Sequence, residues 1–158
     1  MISTPTDTIC FAYPTLLRPG MESGSFYHPE PLITTNDITH EGKYTLIVTA
    51  GIILPVGKIV KTRVEIFYNG ETVTSDGSSG TADGYMESPM ISVTDDMRVV
   101  YLSSMFVKNV SFPGIGKYTI KIDLIAEYPE KIKDKSILSH ESYFYVSSVG
   151  GEKDGANV

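Results

Sequence analysis

Apolar and polar residues alternate along much of the chain with a period of two. The clearest example is Gly116–Glu127, GKYTIKIDLIAE, in which Tyr118, Ile120, Ile122, Leu124 and Ala126 fall on one side. Alternation of this kind predicts a β-strand with one face on a core and the other in water. Lys58–Tyr68 repeats the pattern, and shorter runs predict further strands at Thr8–Tyr13, near Leu32, from Tyr44, at Met90–Thr94, at Val99–Phe112 and at Ser142–Ser148.

Turn residues support the same fold class. Asn69-Gly70 separates two apolar runs and is the commonest two-residue hairpin turn. Nine prolines and fourteen glycines interrupt the chain, and no stretch keeps a helical period over three turns. The sequence therefore predicts an all-β fold, a two-layer antiparallel β-sandwich of about seven to nine strands.

The inner faces of these strands predict the core. The expected core residues are Tyr44, Leu46, Val48, Val64, Ile66, Phe112, Tyr118, Ile120, Ile122 and Leu124. Ile47 lies on the other side of its strand, which predicts that this strand is buried on both faces. The single Cys10 stands between Ile9 and Phe11, and we expect it to pack as an inert thiol at or near the core.

A length of 158 residues favours one domain, which we place at residues 1–149. Residues 14–37 contain four prolines and little periodicity, so they predict an irregular crossing. The last segment, 150–158, reads GGEKDGANV and predicts a flexible polar tail.

One segment resembles a known family. A strand ending in Val-x-Phe, a Pro-Gly-x-Gly corner, Gly-x-Tyr and an alternating strand follow one another within Phe112–Val146. This arrangement resembles the penultimate hairpin of immunoglobulin-like β-sandwiches, and is similar to that of small uncharacterised bacterial and phage proteins. The resemblance implies an immunoglobulin-like sandwich and no particular activity. The Cys–Trp–Cys core of antibody domains is missing, because the chain has one Cys and no Trp.

Charge and hydropathy narrow the classes of partner. Thirteen basic against nineteen acidic residues give a net charge of −6 without a basic cluster, which argues against a nucleic-acid binder. No window approaches the roughly 18 apolar residues of a membrane span. The first residues, MISTPTDTICFAYP, lack the features of a signal peptide, so we expect a cytoplasmic protein with no membrane partner.

Few residue patterns suggest catalysis. Ser139-His140-Glu141 has the residue types of a triad, but neighbours on a strand point to opposite faces and cannot converge. The loop acids Asp76, Asp83, Asp95 and Asp96 are weak candidates for a calcium site and lack the Asp-x-Asp-x-Asp-Gly spacing. We therefore predict no catalytic residue, no metal and no cofactor.

The last strand carries the strongest indication of function. Tyr143, Phe144 and Tyr145 are consecutive, so an inward Phe144 leaves both tyrosines on the outer face. Either that face binds another protein, or the crossing 14–37 covers it. We predict a non-catalytic module that binds another protein or self-associates, as an accessory or inhibitor protein or as a component of a virion-type assembly, encoded by a bacterium or a phage. The alternative is a ligand- or calcium-binding domain or an enzyme, with its site around Asp76–Glu87.

Overall fold

The computed structural model describes residues 7–21, 27–39, 41–74, 86–128 and 136–148. Within these ranges the chain forms nine β-strands and no helix. The strands are β1 Thr8–Leu16, β2 Leu32–Thr34, β3 Tyr44–Pro55, β4 Ile59–Tyr68, β5 Glu71–Thr72, β6 Met86–Val93, β7 Arg98–Val110, β8 Gly116–Tyr128 and β9 Leu138–Ser147. The tail 150–158 lies outside the described residues.

The strands form two sheets that pack face to face. One sheet has four strands in the order β1-β3-β7-β6, and the other has five in the order β2-β9-β8-β4-β5. The predicted all-β sandwich is confirmed. One neighbouring pair, β2 with β9, is parallel, whereas we predicted antiparallel strands throughout. The chain reaches β2 by crossing from the four-stranded sheet, so no hairpin dictates the direction in which β2 pairs.

The core lies between the sheets and matches the predicted set closely. Nine of the ten predicted residues are buried, and Tyr44 is half-buried and packs against the others. Phe112 connects the two sheets, with ring centroids 5.8 Å from Tyr44 and 5.6 Å from Tyr118. The rings of Tyr118 and Phe144 stack at 5.2 Å, which extends this aromatic cluster onto β9.

The β4–β5 hairpin is the one that the sequence predicts. Asn69 and Gly70 have φ angles of 53° and 80°. Positive φ at both central residues characterises the type I′ turn, whose twist suits antiparallel strands.

The four-stranded sheet is also covered on its outer side. Tyr27 is buried and meets Phe106 edge to face at 6.0 Å between centroids. The Thr15 hydroxyl donates to the His28 carbonyl at 2.6 Å, which holds the returning chain against β1. Ile47 is fully buried although it is not part of the core between the sheets, so the predicted burial of β3 on both faces is confirmed.

Two expectations for β1 are wrong. The strand continues through Pro14 to Leu16, so the irregular crossing begins later than residue 14. Proline is tolerated here because β1 is an edge strand and needs no outward N–H. Cys10 is exposed rather than near the core, because a register shift between Ile9 and Phe11 leaves it without a partner on β3.

The last strand begins earlier than predicted, at Leu138 instead of Ser142. His140 is opposite Ile122, and Ser142 is opposite Ile120, which places both polar residues on the inner side of β9. A polar residue on the inner side interrupts the alternation of apolar and polar residues from which the start of β9 was predicted.

Candidate functional site

The outer face of the five-stranded sheet displays both tyrosines of β9. Phe144 and Val146 are 3% and 1% exposed and anchor the strand in the core, whereas Tyr143 and Tyr145 are 50% and 49% exposed. The predicted outward orientation of the two tyrosines is therefore confirmed. In the described part of the crossing, Tyr27 packs on the opposite sheet and Leu32–Thr34 lies beside β9 as strand β2, so neither covers this face.

Neighbouring strands surround the tyrosines with an apolar residue and a cation. Tyr145 is opposite Leu32 of β2 on one side and Lys117 of β8 on the other. The Lys117 ammonium lies 4.7 Å from the centroid of the Tyr143 ring, within the range of a cation–π interaction. We call Leu32, Lys117, Thr119, Tyr143 and Tyr145 the tyrosine face.

A hydrogen bond to a carboxylate orients the first tyrosine. The Tyr143 hydroxyl donates to Glu141 Oε1 at 3.2 Å. This hydrogen bond and the negative charge of Glu141 raise the pKa of Tyr143, so the hydroxyl remains protonated well above neutral pH. The ring thus presents a flat apolar surface with a polar tip, a combination that is common at protein interfaces.

Charged residues continue the same face beyond the tyrosines. Lys121 is opposite Glu141 on β9 and Glu65 on β4, so unlike charges are adjacent across three strands. In the next row Arg63 pairs with the buried Asp123 at 3.4 Å. These cross-strand neighbours connect β4, β8 and β9 on the side of the sheet that carries the tyrosine face.

The apparent triad Ser139-His140-Glu141 does not assemble. His140 is on the inner side of β9, opposite Ile122. The Ser139 hydroxyl donates instead to the Asp123 carboxylate on the outer face. The serine and the histidine therefore have no common reaction centre.

The acidic candidates divide between described and undescribed parts of the chain. Asp76 and Asp83 lie outside the described residues, so the alternative site around Asp76–Glu87 stays a prediction. Asp95 and Asp96 are exposed in the β6–β7 turn, where the Thr94 hydroxyl donates to Asp96 and lowers its pKa. Across the ranges that the structure describes, no group of three His, Cys, Asp or Glu side chains is placed to hold a metal ion.

A pocket of 330 Å³ opens at the end of the sandwich where β3 and β8 begin, a feature that the sequence did not predict. Its lining residues are Thr35, Ile38, Thr39, Glu41, Phe112, Gly114 and Val146. Glu41 is the only titratable group among these lining residues. Acid–base catalysis generally needs a second positioned group, so the pocket offers no clear chemistry.

Two tyrosine hydroxyls hold the loops beside this pocket. Tyr44 accepts a hydrogen bond from the Thr39 N–H at 2.7 Å. Tyr118 donates to the Gly114 carbonyl at 2.7 Å and accepts from the Gly114 N–H at 3.2 Å. The nearly identical pentapeptides 42–46 and 116–120 therefore perform the same task in opposite sheets, each tying a tyrosine to the loop that precedes it.

The sequence also did not predict exposed apolar residues on the opposite sheet. Ile91 and Val93 of β6 are 61% and 65% exposed, and Met97 in the following turn is similarly exposed. No described strand of the other sheet covers them. The outermost strand of that sheet, β5, has only two residues and pairs with the last residues of β4, at the other end of the strand. Tertiary structure, rather than local pattern, leaves these side chains uncovered.

Comparisons with known proteins give no match, either among protein-family models or among curated proteins. The described residues include no helix long and apolar enough to span a membrane. Function must therefore be inferred from the surfaces themselves.

Proposed function

We propose that this protein is a non-catalytic binding or assembly module that recognises another protein through its tyrosine face. The exposure of Tyr143 and Tyr145 on the same face of β9 is the observation that carries this proposal. Exposed aromatic residues are enriched at interfaces, where a few buried aromatic anchors supply most of the binding energy.

The surroundings of the tyrosines favour a protein partner. Each ring has few rotatable bonds and lies on a strand that is held in the core by Phe144 and Val146, so binding immobilises little. Lys117 offers a positive charge within the tyrosine face, and Glu141 lies beside Tyr143. A partner surface with an apolar centre and an acidic group that reaches Lys117 fits this arrangement.

We also propose that the sandwich is of the immunoglobulin-like type. The orders β1-β3-β7-β6 and β9-β8-β4 correspond to the A-B-E-D and G-F-C orders of that family. The hydrogen bonds between Tyr118 and Gly114 have the arrangement of a tyrosine corner at the start of strand F, which corresponds to β8. This likeness concerns the fold and implies no activity.

A reducing compartment such as the cytoplasm suits the chain. Its single cysteine cannot form an intramolecular disulfide and is exposed. Free exposed thiols persist where cellular reductants keep them reduced. Cytoplasmic location is part of the same proposal.

The experiment is the double substitution Tyr143→Ser/Tyr145→Ser. Affinity purification of the wild type from its native cell identifies the stoichiometric partner, and calorimetry with the purified pair then measures the dissociation constant. We expect the double substitution to weaken binding at least about tenfold, since aromatic anchors dominate interface energy, and to leave the unfolding midpoint nearly unchanged.

The control is Val56→Ser/Ile59→Ser, which removes two exposed apolar side chains at the β3–β4 turn, near Tyr128 and at the opposite end of β8 from Lys117. It should bind as the wild type does. Equal binding by all three proteins would contradict the proposal. A double variant that unfolds readily would show that the tyrosines serve the fold instead.

A further inference from the structure

Strand β6 is an open edge of the four-stranded sheet. It is the last strand in the order β1-β3-β7-β6, and no described strand lies beyond it. Edge strands expose unpaired N–H and C=O groups, and proteins normally protect them with charges, proline, bulges or a covering segment. From Met90 to Val93 the strand has no charged residue and no proline, and its register with β7 is regular.

The other edges carry such protection or are very short. The outermost strands β2 and β5 of the five-stranded sheet have three and two residues, so β9 and β4 form the rest of its edges. β1 has the bulge at Cys10 and the internal Pro14. β4 alternates charged residues along its outer face, including Lys61 and Arg63. β9 is paired with β2 over its last residues and carries Glu141 before them. Among the described edges, the second half of β6 is therefore the one best suited to accept another strand.

The hydrogen bonds of the β6–β7 hairpin show which groups point outward. The Thr94 N–H donates to the Arg98 carbonyl at 2.9 Å. Antiparallel ladders alternate, so Ser92 directs its main-chain groups toward β7, whereas Ile91 and Val93 direct theirs to the open edge. The side chains of Ile91 and Val93 are also exposed.

We propose that β6 pairs with β6 of a second copy of this chain, antiparallel about a two-fold axis at Ser92. Ile91 then lies opposite Val93 of the second copy, and Val93 lies opposite its Ile91. The residues with outward main-chain groups meet one another, which allows four hydrogen bonds across the contact. Two copies of the four-stranded sheet become one continuous eight-stranded sheet.

The local charges are compatible with a second copy in this register. Each copy carries a net charge of −6, so an isologous contact must avoid facing acids. The paired segment is uncharged, and Asp95 falls opposite Pro89 of the second copy rather than opposite another acid. Apolar side chains therefore meet apolar side chains without repulsion between like charges.

A cysteine cross-link tests the register directly. The variant Cys10→Ser/Ser92→Cys has one thiol, which lies opposite its own copy at a non-hydrogen-bonded pair. Such pairs have Cα atoms about 4.5 Å apart, within the reach of a disulfide. On mild oxidation we expect most of the chain to run as a covalent dimer. The matched control Cys10→Ser/Glu71→Cys, with an exposed cysteine on β5, should form little covalent dimer.

Charged substitutions provide a second test on the uncross-linked protein. Ile91→Lys and Val93→Glu alter exposed side chains, so each variant should fold and each should dimerise at least about tenfold more weakly, since charged edges resist strand pairing. Mixing the two variants places lysine opposite glutamate and should restore a heterodimer. Sedimentation equilibrium measures all three samples.

The β6 contact does not involve the tyrosine face, and the results distinguish the two surfaces. Tyr143→Ser/Tyr145→Ser should leave the β6 dimer intact. A wild type that stays monomeric at the highest soluble concentration would overturn the inference, as would cross-linking of the Ser92→Cys variant that does not exceed the control. Loss of the dimer in the tyrosine variant would assign the contact to the tyrosine face instead.

Discussion

Removing one hydroxyl tests how the five-stranded sheet is tied to its preceding loop. Tyr118→Phe deletes the group that donates to the Gly114 carbonyl and accepts from the Gly114 N–H. The ring itself should remain in place, because it is fully buried and stacks on Tyr68 at 4.5 Å and on Phe144 at 5.2 Å. The substitution therefore isolates the polar contribution of the corner.

The expected loss follows from the two hydrogen bonds. Each is worth about 0.5–1.5 kcal/mol net, and the abandoned backbone groups of the half-buried Gly114 are only partly reached by water. We expect the free energy of unfolding to fall by about 1–3 kcal/mol. For a chain of this length, each kcal/mol lowers Tm by about 2–4 °C.

Urea unfolding followed by far-ultraviolet circular dichroism measures this change, with thermal scans as a second readout. Tyr68→Phe is the matched control, because its hydroxyl donates to the Ile115 carbonyl at 2.7 Å in an exposed position. Water can replace that bond, so the control should lose less than about 1 kcal/mol.

Equal stability of Tyr118→Phe and wild type would refute the reasoning. It would mean that solvent satisfies Gly114 as well as the tyrosine does. A loss much larger than about 3 kcal/mol, beyond two ordinary hydrogen bonds, would instead indicate that the aromatic cluster rearranges without the hydroxyl.

Two further predictions concern the core and alkaline pH. Ile122→Ala should lower the free energy of unfolding by about 2–5 kcal/mol, because Ile122 is fully buried; a loss below about 0.5 kcal/mol in urea titrations would place this side chain outside the core. Burial raises the pKa values of Tyr101 and Tyr118 above the ordinary 10.0, so their contribution to stability is complete below pH 10 and is lost as pH rises toward the folded-state values. Unfolding midpoints that do not fall above pH 10 would contradict this, and Tyr101→Phe should reduce the fall.

Local pattern was sufficient to predict most of the sandwich. The alternation in Gly116–Glu127 reflects a strand between core and solvent, so the positions of Ile120, Ile122 and Leu124 could be predicted without a structure. Asn69-Gly70 fixes its own hairpin, because both residues tolerate positive φ.

Contacts between distant segments could not be predicted in this way. Pro14 looked like the end of a strand, yet it is compatible with β1 because that strand is at an edge. The bulge that exposes Cys10 depends on pairing with β3 and leaves no sign in the local sequence. The start of β9 at Leu138 was missed because His140 is a polar residue on the inner face, and such a residue resembles a loop position.

The two candidate surfaces differ in the same way: local pattern predicted one, and only tertiary structure reveals the other. The outward orientation of Tyr143 and Tyr145 follows from alternation around Phe144 and was predicted. The exposure of Ile91 and Val93 depends on the shortness of β5 in the opposite sheet, and only the assembled fold reveals it.

The parallel pairing of β2 with β9 has a consequence for biosynthesis. Leu32–Thr34 has its strand partner at residues 145–147, so more than a hundred residues must be made before β2 can pair. Strand β1 also contacts β9 across the two sheets. Chains dominated by such long-range contacts fold in about milliseconds to seconds, slowly compared with helical proteins. During translation β1 and β2 are therefore synthesised well before the later strands that complete their sheets. The sandwich closes only after β9 has left the ribosome.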